Sequence, residues 1–232
     1  MTADRIRVNL QAVRDRIAAA AARAGRPADA VRLVAVTKTA GTDAIRTLLE
    51  AGQTDIGENR PQQLRDRSRE LEAEGVRWHM IGRLQRNKVK YVVPTCTMVH
   101  SVDSLRLAEE IDKRAQAAQA TATCLLEVSV AGEDQKGGAR PDEAPALASQ
   151  VAALDGIDLV GLMTMAPFVD DPEATRPVFA ATRELLARIN READLARPLA
   201  DLSMGMTQDF EVAVEEGATL VRVGSALFAP QR

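Results

Sequence analysis

Cysteine, histidine and large aromatic side chains are scarce in this 232-residue chain, which has two cysteines, two histidines, one tryptophan, one tyrosine and four phenylalanines. Cys96 and Cys124 stand apart without zinc-ligand or CxxC spacing. That excludes a disulfide framework and leaves two reduced thiols, or at most one stray bridge, in a protein expected to be cytoplasmic. His79 and His100 have no evident third ligand beside them, so no metal site is expected. No apolar run approaches the roughly 18 residues that a membrane-spanning helix needs. The opening stretch, MTADRIRVNLQAVRDRI, is charged and amphipathic rather than signal-like. A formal net charge of −3 gives no electrostatic reason to expect nucleic acid or an anionic membrane as partner. Linkers, low-complexity segments and charge runs are also missing, so residues 1–232 read as a single domain.

Lysine is scarce too. Of 30 basic residues only Lys38, Lys88, Lys90, Lys113 and Lys136 are lysines. A chain that uses arginine wherever a plain cation suffices draws attention to each lysine for amine chemistry, which a guanidinium cannot perform.

What the chain does have is a regular alternation. Residues 4–24 carry Ile6, Leu10, Val13, Ile17, Ala20 and Ala21 at helical spacing and end at Gly25. VRLVAV (31–36) is a short β-branched apolar run, followed by a helix over 43–51. The same unit recurs: strands at 53–57, 76–82, 98–102, 121–130 (the longest), 157–165, 201–205 and 218–224. Helices are expected over 61–74, 84–92, 104–118 (capped by Asp103), 141–154, 172–192 and up to 216, with a short turn at SALF. The count is eight strands and eight helices if the N-terminal one is included. Strict alternation implies parallel strands with right-handed crossovers. Eight units in this length suit an α/β fold of the closed (β/α)8 TIM-barrel type with an additional N-terminal helix; an open doubly wound sheet is the rival.

Such barrels put their chemistry at the C-terminal ends of the strands. Lys38 follows the first strand, where desolvation would favour a neutral, nucleophilic amine; the alternative is a lysine that caps the strand and reaches for water. SMGM (203–206) and VRVGSA (221–226) follow strands seven and eight, where barrels often bind phosphate, and their glycines and serines suit an anion cradle. An amine and a phosphate cradle on one face suggest a phosphorylated aldehyde cofactor. Arg222, flanked by Val221 and Val223, needs an acceptor if it faces the lumen. That acceptor is either a carboxylate such as Glu58 or Glu127, or the pyridine nitrogen of a cofactor ring. Met163, Met165, Met204 and Met206 can also simply fill the barrel, Met165 most readily. Lys136, in DQKGG, reads first as a solvated loop charge, and Trp78 as packing beneath the helix layer.

At this point LVAVTKT (33–39), IGENRPQQ (56–63), WHMIGRLQRNK (78–88), HSVDS (100–104), EDQKGG (133–138), GLMTMAP (161–167) and the stretch from Leu202 to Phe228 resemble the pyridoxal phosphate homeostasis proteins, single-domain relatives of the alanine racemase barrel. Arg83 stands where that family more often has proline. The resemblance implies pyridoxal 5′-phosphate (PLP) held as a Schiff base on Lys38. It implies phosphate contacts from Ser203, Gly205, Gly224 and Ser225, with Met204 in the same loop. It also implies Arg222 facing the pyridine nitrogen, and Asn59, His79 and Met163 lining the ring.

Three functions compete. A carrier would buffer PLP and deliver it, through transient contact with PLP-dependent apoenzymes, as a monomer or weak dimer with little turnover of its own. A racemase needs a second base opposite the lysine, yet the sole tyrosine, Tyr91, falls in a helix on the exterior. A Schiff-base aldolase would leave Arg222 and Asn59 without a ring to contact. The carrier is the expected function.

Overall fold

The structure is a computed structural model that describes residues 2–130 and 137–228. Eight strands alternate with helices: α1 (Ala3–Arg23), β1 (Arg32–Val36), α2 (Thr42–Glu50), β2 (Asp55–Glu58), α3 (Pro61–Glu70), β3 (Arg77–Met80), β4 (Cys96–Val102), α4 (Leu105–Ala117), β5 (Ala122–Glu127), α5 (Ala144–Ala152), β6 (Ile157–Met163), α6 (Arg176–Glu192), β7 (Asp201–Ser203), α7 (Phe210–Glu215), β8 (Leu220–Val223) and α8 (Ser225–Phe228). The strands close in sequence order into one all-parallel barrel, which settles the choice against an open sheet.

Side-chain alternation divides the interior in two. Leu33 and Ala35, with Ile56, Trp78, Met80, Leu126 and Val221, turn outward to meet the helices in the large core. Val34, Met98, Leu125, Met163 and Leu220 turn inward and form a separate apolar cluster that contains no helix residue and plugs the lumen. The same alternation carries Val36, and then Lys38 beyond the end of β1, toward the C-terminal mouth.

Several elements differ from the sequence reading. Residues 84–92 form a 3-10 helix, Arg86–Tyr91, because the connection is short and its end is the β-branched pair Val92–Val93 before Pro94. β5 has six residues against seven in β4 and β6, so it is not the longest strand; past Glu127 only a single bridge, Val128 with Ala139, continues it. α5 begins at Ala144, where Pro145 is tolerated in the first turn. α4 is not capped by Asp103: Ser104 is the N-cap residue, and its hydroxyl donates to the Asp103 carboxylate at 2.9 Å.

The N-terminal helix has a structural reason. α8 is a single turn, too short to cover the seam where β8 meets β1. α1 fills that berth, packing on α7, α2 and α8 through buried Ile6, Leu10, Val13, Ile17, Ala20 and Ala21. The Asn9 amide donates to Leu227 O at 3.1 Å, and Arg26 donates to Val214 O and Ala218 O at 2.6 and 2.8 Å. Burial of Leu10 is nearly complete at 1% exposure. Leu10→Ala is therefore expected to lower the free energy of unfolding by about 2–5 kcal/mol, read from denaturant titration, without altering the cavity described next.

Candidate functional site

A cavity of about 320 Å³ opens at the C-terminal mouth, lined by Val36, Lys38, Asn59, Ile81, Met165, Phe168, Met206, Thr207, Gln208, Arg222, Gly224 and Ser225. It brings together five residues expected from sequence: Lys38, Asn59, Arg222, Gly224 and Ser225. A hollow of about 530 Å³ on the outer side of Lys38 is larger, but it is shallower and walled only by polar side chains such as Thr42, Arg60, Gln63 and Glu70, with no apolar floor for a ring.

Lys38 is exposed, so the burial expected to act on its amine is absent. The physical reason is the turn that follows β1: Thr37 is buried, but Ala40 N–H donates to Thr37 O at 2.8 Å and swings the intervening residues outward. That turn is clamped from behind. Thr37 Oγ1 donates to Glu58 Oε1 at 2.5 Å, and the Arg67 guanidinium donates to Thr37 O at 2.9 Å and also to Ala40 O and Glu58. Glu58, completely buried, is pushed above the usual carboxylate range by burial, against the pull of Thr37 and Arg67. It points to the helix side of β2, so it is not the partner of Arg222.

Arg222 is 5% exposed and faces the lumen. It donates to Ser203 O and Ser203 Oγ, both at 2.7 Å, and to Thr164 O at 2.9 Å. Burial lowers its pKa to about 10, still cationic at neutral pH. Its acceptors are neutral oxygens, and neither carboxylate considered from sequence forms an ion pair with it. Glu127, 8% exposed at the end of β5, is raised to about 7 by burial and the charge of Asp103.

Five residues expected to touch the cofactor do not line the cavity. Ser203 is completely buried, its hydroxyl held by Arg222 and by His100 Nδ1 at 2.8 Å. His79 is also completely buried, bonded to His100 and to Asp55, toward the N-terminal end of the lumen. Met163 belongs to the apolar plug, and Met204 points outward into the helix-side core. Gly205 shapes the loop and is not part of the cavity lining: its φ of +91° is left-handed, and a Cβ there would lie 2.6 Å from Ala213 Cβ. Met165, expected as filling, is instead 43% exposed at the rim. Lys136 lies outside the described residues.

Three contributors escaped the sequence reading. Thr207 Oγ1 accepts from Gly224 N–H at 3.3 Å, joining the two loops expected to cradle phosphate. Gln208 lines the cavity with its amide nitrogen buried and unpartnered, and the Asn59 side-chain oxygen is likewise without a partner. The signal was present as Thr207-Gln208-Asp209, three polar residues in a row between Met206 and Phe210 after β7. Phe168, 83% exposed, completes the rim. These orphaned amides, an accessible amine and a buried guanidinium around an apolar hollow fit a flat, polar-edged aldehyde that carries an anion.

Comparison with known proteins identifies the family. The family model described as alanine racemase, N-terminal domain, matches residues 8–231. The chain is similar to the pyridoxal phosphate homeostasis protein of Deinococcus radiodurans, 45% identical over 96% of this chain and 100% of the relative. It is also similar to that of Aquifex aeolicus, 41% identical over 96% of this chain and 97% of the relative. Among solved structures, PipY of Synechococcus elongatus with PLP bound superposes with a TM-score of 0.84 at 34% identity, covering 97% of this chain and 100% of that one. A closed eight-stranded barrel, a lysine at the end of β1 and a match along almost its whole length place this chain in the alanine racemase N-terminal domain family.

Proposed function

We propose that this protein binds PLP in the mouth of the barrel and serves vitamin B6 homeostasis, holding the cofactor reversibly on Lys38 and releasing it to recipient enzymes. The bound cofactor supplies an aldehyde that condenses with an amine. Lys38 Nζ is the amine at hand. Gly224, Ser225, Thr207 and Gln208 form the anion-binding side of the cavity, and Asn59 supplies an amide to the ring's polar edge. Arg222, in the cavity wall, would be the partner of the ring nitrogen; a guanidinium, cationic even with its lowered pKa, would not hand a proton over to it, so the ring would remain a weak electron sink. Ser203 and Gly205 contribute from beneath, by holding Arg222 and by shaping the loop.

The observation that carries the carrier reading is the lining itself. Among the described residues it offers one amine and no tyrosine, histidine, cysteine, aspartate or glutamate. Two-base racemisation needs a second acid–base group across from the lysine. Tyr91 lies on the outside, its ring 4.8 to 5.7 Å from the cationic ends of Arg65, Lys88 and Lys90. Half-buried Cys96 and buried Cys124 lie away from the cavity, and desolvation pushes both thiols upward, Cys96 to about 12. Such inert, unpaired thiols accord with a cytoplasmic protein. Among the described residues no helix is long and apolar enough to cross a membrane. The exposed rim around Phe168 and Met165 supports transient contact with a recipient.

PLP added to the purified protein is expected to give a visible absorbance band that borohydride fixes, absent in Lys38→Ala and persistent when amino acids are added. Rapid exchange of an amino acid's α-proton in the same sample would replace the carrier with a racemase. Gln208→Glu sets a carboxylate against the cofactor's phosphate at nearly unchanged volume; it is expected to weaken PLP binding about 10- to 100-fold by equilibrium titration.

A further inference from the structure

A chain of hydrogen bonds runs through the lumen beneath the cavity. Asp55 Oδ1 lies 2.8 Å from His79 Nε2, His79 Nδ1 lies 2.9 Å from His100 Nε2, and His100 Nδ1 lies 2.8 Å from Ser203 Oγ. Arg222 closes it with a 2.7 Å bond to the same Ser203 oxygen. The two histidines and Ser203 are completely buried. Asp55, at the first residue of β2, sits at the opposite end of the barrel, where Arg77 Nε approaches the same Oδ1 at 3.3 Å.

The end groups impose a direction on this chain. Arginine can only donate, and an ionised carboxylate can only accept. Asp55 is held ionised, below the usual carboxylate range, by its bond to His79 and by the charges of Arg77 and Arg32 acting against burial. His79 therefore carries its proton on Nε2, and burial disfavours a second proton. Its bare Nδ1 must accept, so His100 carries its proton on Nε2 as well. Burial, the neighbouring His79 and the charge of Arg222 keep His100 neutral, and its bare Nδ1 must also accept. Among the described residues the only donor it faces is the Ser203 hydroxyl. That commits the single Ser203 proton to His100 and leaves the Ser203 oxygen a pure acceptor toward Arg222.

We infer that Asp55, His79 and His100 are positioning residues: they form a one-way relay through the barrel that holds Ser203 as an obligatory acceptor and so fixes the Arg222 guanidinium in the cavity wall. The link to the cofactor rests on the reading of Arg222 given above; the relay itself does not. The arrangement suits a site that needs its cation held in one orientation without a carboxylate bonded to it: Asp209 and Glu127 act on Arg222 only through their charge, and its hydrogen bonds go to neutral oxygens. A direct ion pair would anchor Arg222 but cancel more of its charge at the cavity; neutral links anchor it and leave the guanidinium charged there.

The test has two arms. In the first, two-bond nitrogen–proton correlations on the uniformly labelled, ligand-free protein at neutral pH are expected to show both imidazoles neutral, with the proton on Nε2. A protonated ring, or a proton on either Nδ1, overturns the relay whatever the protein binds. In the second, PLP is added to His100→Phe, His100→Gln, Asp55→Asn and Arg222→Gln. His100→Phe removes two hydrogen bonds from the chain, those to His79 and to Ser203, and is expected to shift the cofactor's absorbance in the same direction as Arg222→Gln. It is also expected to weaken PLP retention by about 2- to 10-fold. His100→Gln keeps an acceptor toward Ser203 and a donor toward His79, and should recover most of the loss. Asp55→Asn, remote from the cavity, should give a smaller shift of the same sign. If Arg222→Gln shifts the spectrum and the His100 and Asp55 variants, folded by circular dichroism, do not, the positioning role is wrong. If Arg222→Gln itself leaves the spectrum unchanged, the reading of Arg222 fails while the first arm still decides the relay.

Discussion

The ladder between β1 and β8 closes the barrel, and the placement of the site depends on it. Its register pairs Arg32 with Leu220, Leu33 with Val221, Val34 with Arg222 and Ala35 with Val223. Two segments nearly two hundred residues apart in sequence thus end side by side at one mouth. Lys38 leaves β1 where Gly224 and Ser225 leave β8, and Arg222 sits one layer below. Gly224 permits the approach: a Cβ there would stand 3.1 Å from Val36 O. α1 then covers the seam from outside, so a helix that precedes the first strand helps hold the first and last strands together.

Closure also creates an electrostatic problem, since it places an arginine in a lumen otherwise floored by Val34, Met98, Leu125, Met163 and Leu220. An uncompensated charge there is costly. The chain meets the demand with two backbone carbonyls and one hydroxyl, each accepting from Arg222, rather than with a carboxylate. The guanidinium stays charged and available at the cavity. The opposite choice appears behind Lys38, where the Glu58–Arg67 pair is confined to the helix side of the strand. There it braces the turn and takes no part in the charge of the cavity. One barrel thus handles a buried arginine, Arg222, and a half-buried one, Arg67, differently according to whether their charge has to be felt at the mouth.

Much of this was legible in the residues. The βα alternation, the helical stripe of α1, and the lysine and glycine motifs at strand ends are local patterns, set by periodicities of two and 3.6 and by turn chemistry. They specified the barrel, the mouth and five of the residues that line it. Element ends were less legible wherever local rules compete: the 3-10 segment before Pro94, the early stop of β5 and the Ser104 start of α4 each reflect tertiary fit overriding a simple pattern.

Side-chain direction at the strand ends decided the rest. A strand motif tells which residues alternate, but not how far a tilted, staggered barrel carries each of them along its axis. Ser203 and His79 do face the lumen, yet they lie a layer too deep to reach the cavity, and Met204 falls on the other side of the sheet. Lys38 carries the expected amine, but the turn at Ala40 turns it toward solvent. Gln208 and Thr207 join the site only because β7 and β8 are neighbours. By itself the sequence determined the fold, the family and the lysine that stands at the mouth, because these depend on local periodicity and on motifs read along one chain. Only the tertiary structure decided which polar groups face the hollow and which are satisfied by one another, because hydrogen bonds such as Asp55–His79–His100–Ser203–Arg222 link five different strands that meet only when the barrel closes.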